Sequence, residues 1–150
     1  IEVGIVLSDG QKYCALIKPA DDWLYWDQKA ELVHGLSLEQ LWTHGKPIHT
    51  VTRELNSFLE NKTVYSDGWV VDKPWLSRLF YSSGITPSFF LSSLEYILKE
   101  PQMEIWTTTQ RQVISDLALT RHRASTDALV IQETYVRTQQ MLPDKICLPL

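Results

Sequence analysis

Three side chains of this sequence have the types and spacing to do hydrolytic chemistry: His122, Asp127 and Asp72. His122-Arg-Ala-Ser-Thr-Asp127 runs directly into Ala128-Leu-Val-Ile131, so a histidine stands just outside a helix whose first turn carries a carboxylate. From Ala124, the residues Ala128, Ile131 and Tyr135 follow at steps of four, three and four, which is one helix face. Asp127 falls on the flank of that face. A carboxylate there is costly to bury unless a metal ion, an arginine or backbone N–H groups meet it. Asp72 is followed by Trp75, Leu76, Leu79 and Phe80 at offsets of three, four, seven and eight, which puts it in the middle of an apolar stripe. Each acid also has a plain structural reading. Asp127 is then an acid favoured by the helix dipole, or an ion pair with Arg121 or Arg123. Asp72 is then an N-cap ahead of Lys73 and Pro74. Two carboxylates at helix starts and one histidine are the ingredients of a metal-dependent hydrolase.

The surrounding pattern predicts the elements that must position them. Ile1–Leu7 is almost continuously apolar and reads as a buried strand. Ser8-Asp9-Gly10 is a turn, and Lys12–Lys18 is the return strand, ended by Pro19. Trp23, Tyr25 and Trp26 form an aromatic cluster suited to local packing or to stacking on bases. Gln28–Val33 is a short helix ended by His34-Gly35, Ser37–Gln40 is a capping box, and Pro47 opens a helix with Val51, Leu55, Phe58 and Leu59 inward. His44 and His49 are five apart with Gly45 and Pro47 between them, so they are surface or capping residues and not a metal pair. Thr63–Ser66 is a strand broken by Asp67-Gly68, and Pro87–Leu91 is another. Ser92 or Ser93 caps a short helix through Leu98. Pro101–Leu117 is helical with Ile105, Val113 and Leu117 inward, and the last helix spans Ala124–Met141 until Pro143. Strands alternating with helices in this order make an α/β protein, a mixed sheet flanked by helices.

The totals bound the class. A chain of 150 residues, 44% hydrophobic and 21% charged, is one ordinary globular domain, taken as residues 1–141 with a loosely docked tail at 142–150. A net charge of −4 excludes bulk coating of nucleic acid but not an acidic enzyme with a local basic groove. Cys14 and Cys147 show no zinc spacing and no disulfide framework, which suits a reducing cytoplasm. No apolar run spans a bilayer and no signal peptide is visible, so no membrane partner is expected. The six tryptophans are read mostly as core. The first residue is Ile, not Met, which implies a segment upstream.

His122-x-Ala124-x-x-Asp127-Ala128 resembles the third motif of the DEDD-type 3′–5′ exonucleases with a catalytic histidine, among them polymerase proofreading subunits, ribonuclease T and oligoribonuclease. Three other stretches agree in order and spacing. Ile1-Glu-Val-Gly-Ile-Val6 resembles the family's second strand, Val33-His-Gly-Leu-Ser37 its substrate-side loop, and Val70-Val-Asp72-x-x-Trp75-Leu76 its second acidic motif. The resemblance covers about residues 1–140. It implies a ribonuclease H-like fold, with Asp72 and Asp127 as metal ligands and His122 as general base. It further implies two Mg²⁺ or Mn²⁺ ions, Val33, His34 and Val71 at the substrate, a single-stranded DNA or RNA 3′ end as partner, and a possible homodimer.

Two departures qualify the resemblance. The family carries an Asp-x-Glu pair on a central strand ahead of the Ile-Glu-Val-Gly segment, and Glu2 is not part of it. Relatives often carry His-Asn where this chain has Asp67-Gly68. Enzyme activity is therefore expected provided that an upstream Asp-x-Glu exists. The alternative is a non-catalytic nucleic-acid-binding or protein-interaction relative lacking the first acidic motif. Losing a central strand would strand the hydrogen-bonding edges of its two neighbours at severe cost, which favours the enzyme.

Overall fold

The computed structural model describes residues 1–119 and 122–142. The protein is α/β. Its elements in chain order are β1 (Glu2–Val6), β2 (Lys12–Leu16), α1 (Gln28–His34), α2 (Leu38–His44), α3 (Ile48–Leu59), β3 (Thr63–Ser66), α4 (Trp69–Ser83), β4 (Phe90–Ser93), a 3₁₀ turn (Leu94–Tyr96), α5 (Glu100–Asp116) and α6 (Ala124–Met141). The readings for 143–150, including the tail, Pro143 and Cys147, lie outside the described residues, as does Arg121.

The expected hairpin forms: β1 and β2 pair antiparallel with Gly4 opposite Cys14. Asp9 closes its turn by accepting from Gln11 N at 2.9 Å. β3 and β4 pair parallel with Val64 opposite Leu91. These are two separate two-stranded sheets among the described residues, not the single mixed sheet the pattern suggests. Sequence pattern specifies that a segment is a strand, but not which edge it joins. Ile17 N donates to Ile1 O and Leu7 N to Gln11 O, so the odd residues of β1 face β2. The backbone groups of Glu2, Gly4 and Val6 turn to the other edge, and all five β1 residues are only half-buried, where a buried strand was expected.

The core lies on α3. Val51, Leu55 and Leu59 are fully buried and meet Ala15, Ile17, Leu79, Phe80 and Phe89. Val3 and Ile5 of β1 and Val64 of β3 pack against this same cluster. The Phe80 and Phe89 rings meet edge to face at 5.7 Å. β4 starts at Phe90, later than read from Pro87, because Ser88 N donates to Asn56 Oδ1 and the ladder opens with Phe90 N on Lys62 O. The short helix expected through Leu98 is only the 3₁₀ turn.

Gly45 is where α2 ends against the strand layer. A Cβ there would lie 2.2 Å from Leu41 O and 2.5 Å from Lys18 N, both backbone atoms. Moving them would disturb the Gly45–Leu41 and Lys18–Lys46 hydrogen bonds that these two atoms make. Gly45→Ala is expected to cost about 1–3 kcal/mol, as overpacking does. A urea midpoint unchanged from the parent would contradict this contact.

α6 carries the largest departure from the pattern. Its buried residues are Val130, Thr134 and Thr138, not the face through Ala128, Ile131 and Tyr135. The α5 side is also polar: Gln102, Thr109 and Val113 are buried, and Leu117, expected inward, is 40% exposed at the helix end. Gln102 Nε2 donates to Thr138 Oγ1 at 3.1 Å across the two helices. A buried interface built on threonine and glutamine carries no hydrophobic period, which is why the pattern pointed to the neighbouring face. Asp127 is three residues before Val130, so it lines up with the buried face and is itself half-buried.

Candidate functional site

The start of α6 is built by β1. Arg123 occupies the N-cap position but caps nothing with its side chain. The cap comes instead from Glu2, whose Oε2 accepts from Ala124 N at 2.8 Å. The same carboxylate takes Arg123 in a bidentate pair, with Nε to Oε2 and NH2 to Oε1 both at 3.0 Å. The Cys14 thiol donates to Oε1 at 3.4 Å. Burial opposes the charge on Glu2, whose side chain is 5% exposed, but these donors together outweigh it and hold the carboxyl below its usual range. Gly4 lets the helix lie directly on the strand, because a Cβ there would fall 2.3 Å from Ala124 C.

This seat holds two of the three chemical residues together. Asp127 N donates to Arg123 O at 2.8 Å, and its Oδ1 accepts from the His122 backbone N–H at 3.4 Å. His122 is exposed and has φ +76°, the left-handed region in which a side chain is strained. The Arg123 guanidinium goes to Glu2, so the reading of Arg123 as the structural ion-pair partner of Asp127 is corrected.

Asp72 is on a different helix, α4. The N-cap of this helix is Gly68, so Asp72 lies inside the first turns and is not the cap. It is also exposed, because the buried part of α4 begins later, at Leu79, Phe80 and Ser83, and Trp75 is 53% exposed. The offsets from Asp72 place it on the right stripe but ahead of the length that packs. Pro74 sits within α4, where its missing N–H releases the carbonyl of exposed Val70 to solvent. Ser66, buried at the end of β3, donates to Asp72 Oδ2 and accepts from Gly68 N at 2.9 Å. That relay closes the β3–α4 turn and aims the carboxylate.

A cavity of about 510 Å³ opens beside this turn, outside the carboxyl ends of the parallel strands β3 and β4. Its walls include Asp67, Trp69, Val71, Glu95 and Tyr96. Ligands on parallel strands favour such a position. Val71, expected at the substrate, is therefore at a cavity wall and 60% exposed. Val33 is 58% exposed at the end of α1. His34 does structural work: its Nδ1 accepts from Leu36 N at 3.0 Å and its ring meets Trp26 edge to face at 6.1 Å. Burial pushes its pKa down.

Among the described residues, no group of three or more His, Cys, Asp or Glu side chains is placed to hold a metal ion. Comparison with protein-family models, curated proteins and solved structures gives no match. Asp72 and Asp127 are hard oxygen donors suited to Mg²⁺ or Mn²⁺, but two carboxylates on separate helices do not by themselves complete a centre for two ions.

Pattern reading missed Glu2 and Ser66. The signal for Glu2 was present as the one acid in an apolar strand; its partners lie 121 and 122 residues away in the chain. The tryptophans are also corrected. Trp42, Trp69 and Trp75 are exposed, and Trp23, Trp26 and Trp106 are half-buried. Of the aromatic cluster, Trp23 packs on the core and Trp26 donates to Glu31, while Tyr25 is exposed.

Proposed function

We propose that the protein is a metal-dependent 3′–5′ exonuclease acting on single-stranded DNA or RNA ends, built on a ribonuclease H-like fold. The observation that carries the reading is the pair at the start of α6. There a half-buried carboxylate accepts from the backbone of an exposed histidine, on a helix turn that the half-buried Arg123–Glu2 ion pair seats on β1. Asp72, at the start of a second helix, is a carboxylate aimed by a buried hydroxyl. In this reading Asp72 and Asp127 are metal ligands and the His122 imidazole accepts the proton of the attacking water. Val71 and Val33 are exposed apolar contacts for the terminal nucleotide. The reading carries a condition: further carboxylates, of the Asp-x-Glu kind, complete the donor set. The free edge of β1 supports a strand as their carrier, since its outward backbone groups are unpaired among the described residues.

The exposed Trp69, Trp75 and Tyr96 favour a second reading, a protein-interaction or nucleic-acid-binding module, including a homodimer. No helix among the described residues is long and apolar enough to cross a membrane. One experiment separates the readings. Full-length protein incubated with 5′-labelled single-stranded DNA and RNA and Mg²⁺ or Mn²⁺ is expected to give a shortening ladder. Intact oligomers of both kinds, with an upstream Asp-x-Glu confirmed, would leave only the binding readings.

A further inference from the structure

We infer that Glu2 is a positioning residue for the candidate site. It seats the first turn of α6 on β1, and through that turn it directs Asp127 and His122. The inference rests on the exonuclease reading for its functional half and on the geometry alone for its structural half. A buried acid at the start of an apolar strand is a liability unless it is fully met. Glu2 is met on every side: by both donors of the Arg123 fork, by the Ala124 amide and by the Cys14 thiol. None of these partners is on its own strand.

The arrangement does what a local cap does not do here. α6 lacks a side-chain cap from its own N-terminal residues. A carboxylate at that end meets both an orphan amide and the positive end of the helix dipole. Because it is delivered from β1, it fixes the helix relative to the strand as well as ending it. Gly4, two residues further along, leaves the room that this contact needs. Asp127 hangs from this turn by its backbone bond to Arg123 O, and His122 precedes it in a left-handed conformation that leaves the chain few alternatives. Loosening the seat therefore lets both side chains wander while the α3 core stays intact.

Glu2→Ala, Glu2→Gln and Arg123→Gln test this. Glu2→Gln keeps an acceptor for Ala124 N but loses the charge. Arg123→Gln keeps the Ala124 bond and removes the fork, and it serves if Glu2→Ala does not fold. In Glu2→Ala, amide exchange from Ala124 to Asp127 is expected to accelerate roughly 10–100-fold, the loss expected for hydrogen bonds to a charged group, with Val51 and Leu55 unchanged. On an oligonucleotide, kcat is expected to fall at least tenfold with KM within about twofold, because binding elsewhere is untouched. Glu2→Gln is expected to fall between Glu2→Ala and wild type on both measures. Unchanged exchange at α6 in the folded Glu2→Ala or Arg123→Gln protein overturns the inference. Accelerated exchange with unchanged kcat overturns its functional half. A wild type without nuclease activity defeats the exonuclease reading instead, and accelerated exchange at α6 then supports the seat on its own.

Discussion

His122→Ala is expected to lower turnover about 10²–10⁴-fold, the usual contribution of a positioned acid–base group, while metal affinity stays close to that of wild type. The separation follows from placement. The His122 contact to Asp127 is made by its backbone N–H and survives truncation of the side chain, so the carboxylate keeps that partner. If the imidazole is the base, removing it should change the shape of the pH–rate curve and not only its height. A merely structural histidine would instead leave residual activity with the wild-type pH profile. Superimposable pH–rate curves at saturating metal would count decisively against His122 as base.

The backbone adds a control. His122 has φ +76°, so glycine relieves strain there that alanine retains. His122→Gly is expected to be more stable than His122→Ala by about 1 kcal/mol, although both lack the imidazole. Equal loss of activity in two variants of different stability separates chemistry from folding.

The sequence showed the candidate residues more clearly than the contacts that aim them. His122 and Asp127 are five residues apart, and their juxtaposition at a helix start follows from local geometry alone. The α3 stripe was equally legible, because Val51, Leu55 and Leu59 are apolar and repeat at helical spacing. The orientation of α6 was not legible, since the face it buries is Val130, Thr134 and Thr138, with Thr138 bonded to Gln102. Nor was the start of α4, where Trp69-Val-Val71 are residues of high strand propensity drawn into the helix. Glu2 shows the general limit. Its residue type signalled an anomaly, but the partner that explains it is tertiary and far away in sequence.

Asp72→Asn and Asp127→Asn are expected each to abolish most activity, about two orders of magnitude or more, with little loss of stability in metal-free buffer. Asparagine keeps the shape and one acceptor oxygen of aspartate, but not the charge that a hard cation requires. At Asp72 that acceptor is enough to satisfy the Ser66 hydroxyl, so the β3–α4 turn should remain closed. Asp72→Ala is the informative contrast, because it leaves the hydroxyl of buried Ser66 without its acceptor and should destabilise the turn by about 1–3 kcal/mol. At Asp127 the amide oxygen can still accept from the His122 N–H, so that contact survives the substitution. Urea titrations without metal and rate measurements with it are both needed. If Asp127→Asn unfolds far more readily than wild type, its carboxylate holds the fold together and not a metal. If both asparagine variants are stable and still cleave at the wild-type rate, neither acid belongs to the catalytic centre and the exonuclease reading fails at its ligands.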